Sequence, residues 1–366
     1  MMRQQQLFAL FAIAILSTRL AAATQYSVRD LGDSFFPIAM TDVGQIVGQG
    51  ELSGTATAFL LDGGTVTPII HPGGGEVRVS GINNLGQVVG ANRDAHDYDH
   101  AFVWDQMTGW KALAQGDVNG SWANGINDAG IVVGDLYGDG ALWQTNGDIV
   151  RLGDLGGAYS AAFALNSRGD VVGLSSLDPA GVQQHAFIWN QNAMQDMGVT
   201  DSITKGFQDY AIARDINDRG QVVGYAVGLN ENNNPEVPDN GFIWDEANGL
   251  ESLVPGVRFR GINNAGHAVG ISFTQHRQST GASWDAMLYE NGALYNLNDL
   301  ITRPSDFYIM TATGINEAGQ IIAWGDVSSD NGTSHGFLLT PIPEPSAVCL
   351  LAIGLTVGYC RKRIRA

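Results

Sequence analysis

The body of this chain has no cysteine: in 366 residues the only thiols are Cys349 and Cys360, both close to the C-terminus. Whatever folds between residues 24 and 345 does so without disulfides, and thiol-nucleophile and redox chemistry are closed to it. Charge is also scarce, at 15% of residues. Positive charge is scarcest: residues 24–345 hold 13 basic against 37 acidic side chains, a net of −24, with no Lys/Arg cluster. A surface of that sign repels phosphate backbones, so nucleic acid is not an expected partner. No nucleophile elbow, phosphate loop or His-Glu metal helix occurs, and no catalytic residue or cofactor is expected from motif. A carboxylate pair assembled from distant repeats would leave no local motif, which keeps one enzymatic reading open. Glycine, in contrast, is abundant at 48 residues, and apolar residues make up 44%. Together they suit a β protein with a substantial core and many tight turns.

The ends differ from the middle. Neither 1–23 nor 346–366 contains Asp or Glu, yet they hold six of the 19 basic residues. Arg3, the apolar run Leu7–Leu16 and the small residues Ala21-Ala22-Ala23 have the order of a secretory signal, with cleavage expected after Ala23 and Thr24 as the mature N-terminus. An uncleaved anchor is the alternative, but the run is well short of the ~20 residues of a span. At the other end, Pro343-Glu344-Pro345 precedes an apolar segment, 347–359, and a basic cluster, Arg361-Lys362-Arg363 and Arg365. Thirteen residues reach only ~20 Å as a helix against a ~30 Å hydrocarbon core, so this segment would halt in a membrane as a temporary stop.

Those three parts together resemble the PEP-CTERM sorting signal of Gram-negative bacteria. The resemblance implies transient inner-membrane association, processing by an exosortase, and delivery to the cell surface or extracellular matrix, with signal peptidase the partner expected at the N-terminal signal. A simple C-terminal membrane helix is the alternative. The expected domain plan is thus a signal peptide at 1–23, a repeat domain at 24–340 and a sorting tail at 341–366.

Between the ends one motif recurs: AMTDVGQIVG (39–48), GINNLGQVVG (81–90), GINDAGIVVG (125–134), ALNSRGDVVG (164–173), DINDRGQVVG (215–224), GINNAGHAVG (261–270) and GINEAGQIIA (314–323). Its sixth position is always glycine: Gly44, Gly86, Gly130, Gly169, Gly220, Gly266 and Gly319. An apolar residue and Asn end one strand, the glycine supplies a positive-φ turn, and an apolar pair opens the next. Those pairs do not alternate with polar residues, which predicts strands covered on both faces. A second signature follows each motif, including HAFVW (100–104) and HAFIW (185–189), and a weaker third element closes several units. Four strands per 40–50 residues fit the blades of a propeller. The opening Tyr26-Ser27-Val28-Arg29-Asp30-Leu31-Gly32 looks like a closing element, and the last unit lacks one. The expected fold is therefore an all-β, seven-bladed β-propeller closed by an N-terminal strand, with a β-solenoid-like array as the alternative. The HAF strings with their upstream motifs also resemble the HAF-type extracellular repeat of bacterial surface proteins, a likeness that implies export and repetition but no activity.

The HAF histidines His100, His185 and His335 recur beside buried strands, which favours a structural hydrogen bond over metal ligation. The densest polar cluster is Asp94, His96, Asp97, Asp99 and His100; it reads as a solvated loop, with Ca²⁺ as the alternative ligand. Asn230–Pro235 reads as a long polar surface insertion. The tryptophans of HAFVW and HAFIW read as core. The expected function is a non-enzymatic surface or matrix module that binds a polysaccharide or a protein. A secreted carbohydrate-active hydrolase or lyase and a passive spacer are the alternatives.

Overall fold

The computed structural model describes residues 23–52, 55–113, 120–190, 192–199, 208–229, 239–273, 284–302, 306–328 and 333–343. The signal segment before Ala23, the Asn230–Pro235 insertion and the tail from Glu344 onward lie outside the described residues. Among the described residues the chain is a β-propeller built of antiparallel meanders. Five sheets have four strands each and a sixth has eight. The eight-stranded sheet is two four-stranded meanders, joined by one parallel bridge between Gln184 and Tyr210. The N-terminal strand Tyr26–Asp33 pairs antiparallel with the last strand, Thr333–Pro341, with Tyr26 opposite Pro341 and Asp33 opposite His335. Tyr26 anchors it, only 1% exposed and packed in one cluster with Leu297, Leu300, Phe337 and Leu339.

Each unit is built the same way. Its motif glycine has φ between 73° and 88° in all seven units, the left-handed turn that a side chain would strain. The apolar pair that follows is fully buried, as in Val88–Val89, Val132–Val133, Val171–Val172 and Val222–Val223, all at most 1% exposed. Neighbouring sheets cover both faces of this strand, as the lack of alternation predicts. The tryptophans Trp104 and Trp189 are likewise core, at 8% and 9% exposed.

The asparagine of the motif has a larger part than ending a strand. In unit 5, Asn217 Oδ1 accepts from the backbone N–H of Arg219 and Gln221, shaping the turn. Its Nδ2 donates across to the carbonyl of Asn263 in the next unit, at 3.0 Å. The same bond runs from Asn83 to Asn127, Asn127 to Asn166, Asn166 to Asn217, Asn263 to Asn316, and Asn316 to Thr41. These six bonds form a belt that breaks only at Thr41, whose hydroxyl accepts from Gln45 N–H in its own turn.

The strand just before each motif carries a bulge, and the bulged residues are Ile38, Ser80, Asn124, Phe163, Arg214, Arg260 and Thr313. Bulges re-aim side chains, and here all seven line one central cavity of about 480 Å³. The glycine after the buried pair makes room: a Cβ on Gly224 would lie 1.9 Å from the carbonyl oxygen of Ile212.

Candidate functional site

The HAF histidines are clamps. In unit 4, His185 Nδ1 meets Asp196 Oδ2 at 2.7 Å. In unit 7, His335 Nδ1 meets Asp30 of the N-terminal strand at 3.0 Å, tying that strand down. In both units the aspartate stands on the outer strand directly opposite the HAF-type phenylalanine, Phe187 or Phe337. Unit 2 breaks the pattern, because Ala112 stands opposite Phe102. His100 turns instead to Asp94 Oδ2 at 3.0 Å, in the loop before its strand. The carboxylate missing at Ala112 leaves a groove of about 560 Å³, lined also by Trp110, His71 and the Gly73–Gly75 turn.

The groove is rigid and polar on one wall. Trp110 is fixed by Nε1 donating to the Ile70 carbonyl at 3.0 Å and by Phe102, its ring centroid 4.3 Å away. His71 meets Trp110 edge-on at 4.8 Å. Gly75, at φ +97°, permits a close crossing: a Cβ there would lie 2.1 Å from the Arg93 carbonyl and 3.2 Å from Asn92 Oδ1. Asn92 is 6% exposed and its Oδ1 has no hydrogen-bond partner. A buried acceptor left unpaired costs about 1–3 kcal/mol. The hydrogen bond from His100, then the Tyr98 and His96 backbone N–H groups, pulls Asp94 down to about 2. Glu76 is also held below the ordinary carboxylate range, chiefly by its hydrogen bond from Arg78.

Of the polar cluster read in the sequence, the fold brings Asp94, Asp97 and His100 to the groove. Asp99 pairs with Arg93 at 3.1 Å, while His96 and Asp97 sit exposed at the turn. Among the described residues, no three His, Cys, Asp or Glu side chains converge as metal ligands. Of the sorting motif Pro343-Glu344-Pro345, Pro343 is exposed and the other two lie outside the described residues. Ala23 is half-buried, packed beside the Tyr26 cluster. Sequence reasoning missed Asn92, Trp110 and Ala112. Ala112 carries a signal only once strand pairing sets it opposite Phe102.

These features define a class: a β-propeller with a peripheral groove cut into one unit. Residues 155–340 match the model of a family described as protein of unknown function (DUF3466), and the chain belongs to that family. No curated protein matches it. Among solved structures, YCF48 bound to D1 peptide is similar at 13% identity and a TM-score of 0.52, over 88% of this chain and 97% of the other. The Pyrococcus horikoshii acylaminoacyl peptidase is similar at 10% identity and a TM-score of 0.50, over 88% of this chain. The match spans only 54% of the peptidase. At such identities the likeness shows the propeller fold alone.

Proposed function

We propose that this chain is an exported, non-enzymatic binding propeller that takes a neutral, hydroxyl-rich polysaccharide in the groove beside Trp110. The observation that carries this reading is Asn92, a residue lining the groove whose buried Oδ1 has no hydrogen-bond partner. A sugar hydroxyl would satisfy it, and Asp94 would accept a second. A carbohydrate-cleaving pair needs one carboxyl that keeps its proton at working pH. Of the three carboxyls that line the groove, Glu76, Asp94 and Asp97, the first two are held below the ordinary carboxylate range, which supports binding over cleavage.

The test is a glycan-binding screen with the Ala112→Asp variant alongside. The new carboxylate would restore the His–Asp clamp and fill the groove. The variant should melt like the parent and lose the glycan, while the parent releases no reducing ends from it. Reducing ends from the parent, or full binding by Ala112→Asp, would overturn the reading.

We read the eight-stranded sheet as two adjacent blades, giving seven around the channel, closed by the strand Tyr26–Asp33. Export follows from the resemblance of both ends to a signal peptide and a PEP-CTERM tail, with surface or matrix delivery after exosortase processing. One contact favours cleavage after Ala23. Thr24 N lies 3.2 Å from Glu290 Oε2, and Thr24 Oγ1 donates to Oε1 at 2.7 Å. Glu290 is only 5% exposed, so a free α-ammonium at Thr24 would give this buried carboxylate a charge partner. The mass of the exported protein locates the cleavage.

A further inference from the structure

The residue just ahead of each repeat motif changes from unit to unit, while the motif stays nearly constant. The bulges turn these changing residues into the central channel, so they form a ring of slots on a fixed frame. Five slots are apolar or already committed. Ile38 and Phe163 are apolar. Ser80 Oγ accepts from Trp122 Nε1 at 2.9 Å, Asn124 Nδ2 donates to the Ala162 carbonyl at 2.8 Å, and Thr313 Oγ1 donates to the Pro37 carbonyl at 3.0 Å.

The remaining two slots, in consecutive units, hold Arg214 and Arg260. Neither has a hydrogen bond or ion pair among the described residues. Arg214 rests against the Phe163 ring, 5.0 Å from its centroid, and Arg260 stands exposed within the channel. Asp215, next to Arg214, does not neutralise it by contact. Six units carry Gly or Ala at that position, and Asp215 spends its carboxylate on the backbone N–H groups of Ile216 and Ile262, both at 2.9 Å. Two adjacent guanidinium groups without a hydrogen-bonded counter-ion, with Asp215 on the same cavity wall as the nearest carboxylate, leave their N–H donors open to a ligand. Although Arg260 is open to the channel, the protein surrounding it, and then the nearby Arg214, press its guanidinium below the ordinary range, a cost that an anion would relieve.

We infer that the channel is a second binding site, separate from the groove, in which Arg214 and Arg260 together clamp the carboxylate of a small organic acid. Guanidinium forks match a carboxylate in charge and in planar geometry. A cavity of about 480 Å³ is of small-ligand size. A free hexuronate and the acidic terminus of a uronate chain present the same group, so both enter the test.

The experiment is calorimetric titration of the full-length protein with D-galacturonate, D-galactose, sodium sulfate and polygalacturonate. Galacturonate should bind at least about tenfold more tightly than galactose. Arg214→Ser and Arg260→Thr, which place residues found in other slots, should each weaken it at least about tenfold. Melting curves confirm that each variant folds, and both arginines lie outside the groove, so glycan binding there should persist. Galacturonate alone binding identifies a free acid as the ligand, and tighter binding of the polymer identifies a chain end. Equal heats from galacturonate and galactose, sulfate binding without either acid, no heat from any ligand, or unchanged binding in the folded variants would each overturn the inference.

Discussion

The asparagine belt and the ring of bulged residues lie three residues apart on the same stretch of chain, and the repeats treat them in opposite ways. The belt residue is Asn in six units and Thr41 in the seventh, and in every Asn unit it makes the same cross-unit bond. The bulged residue is Ile, Ser, Asn, Phe, Arg, Arg and Thr in turn. A position that must satisfy buried backbone in every unit admits one chemistry. A position that only faces the channel admits many. Repetition here marks architecture, and variation marks where a ligand would be read.

The comparison breaks most visibly where the frame is cut. Removing residues 25–32 takes away the strand paired with Thr333–Pro341, the buried Tyr26 and the aspartate that clamps His335. The melting temperature should fall by about 10 °C or more; an unchanged melt would mean the frame does not need its closing strand.

A smaller effect comes from a varied position that carries a cost. Burial, with Asp99 nearby, raises the Asp135 carboxyl to about 6. The folded state thus binds this proton more tightly than the unfolded chain. The stabilisation is complete below about pH 3, where both states are protonated, and is lost as pH rises to about 6. Asp135→Asn stays neutral, so it should match the parent below about pH 3 and exceed it by about 3 kcal/mol at pH 7.5 in urea melts. A constant difference across that range would contradict the assignment.

The smallest effect repairs the belt. Thr41→Asn should supply the missing bond to the Asn83 carbonyl and add about 1 kcal/mol to stability. No gain would mean that the belt bonds contribute little individually.

What was legible in the sequence follows the same division. The turn glycines, the doubly buried Val pairs and the pairing of Tyr26–Asp33 with the last strand repeat or complete a pattern, so aligned sequence exposes them. The HAF histidines were read as structural, and His185 and His335 each meet an aspartate across a strand pair. The cross-unit bond of Asn217 was not legible, because its acceptor lies 46 residues away. Nor was the groove, since Ala112 becomes informative only once strand pairing sets it opposite Phe102. Arg214 and Arg260 stand one residue outside the aligned motif, and only the bulge reveals that they share a channel.

The most direct test of the division between frame and slots is one set of urea melts, comparing Asn217→Ala with the double variant Arg214→Ser/Arg260→Thr. Asn217 makes bonds to Asn263, Arg219 and Gln221, and its loss should cost about 3 kcal/mol. The double variant should stay within about 0.5 kcal/mol of the parent or exceed it, since it removes two unpaired cations. Equal losses from the two variants would contradict the account.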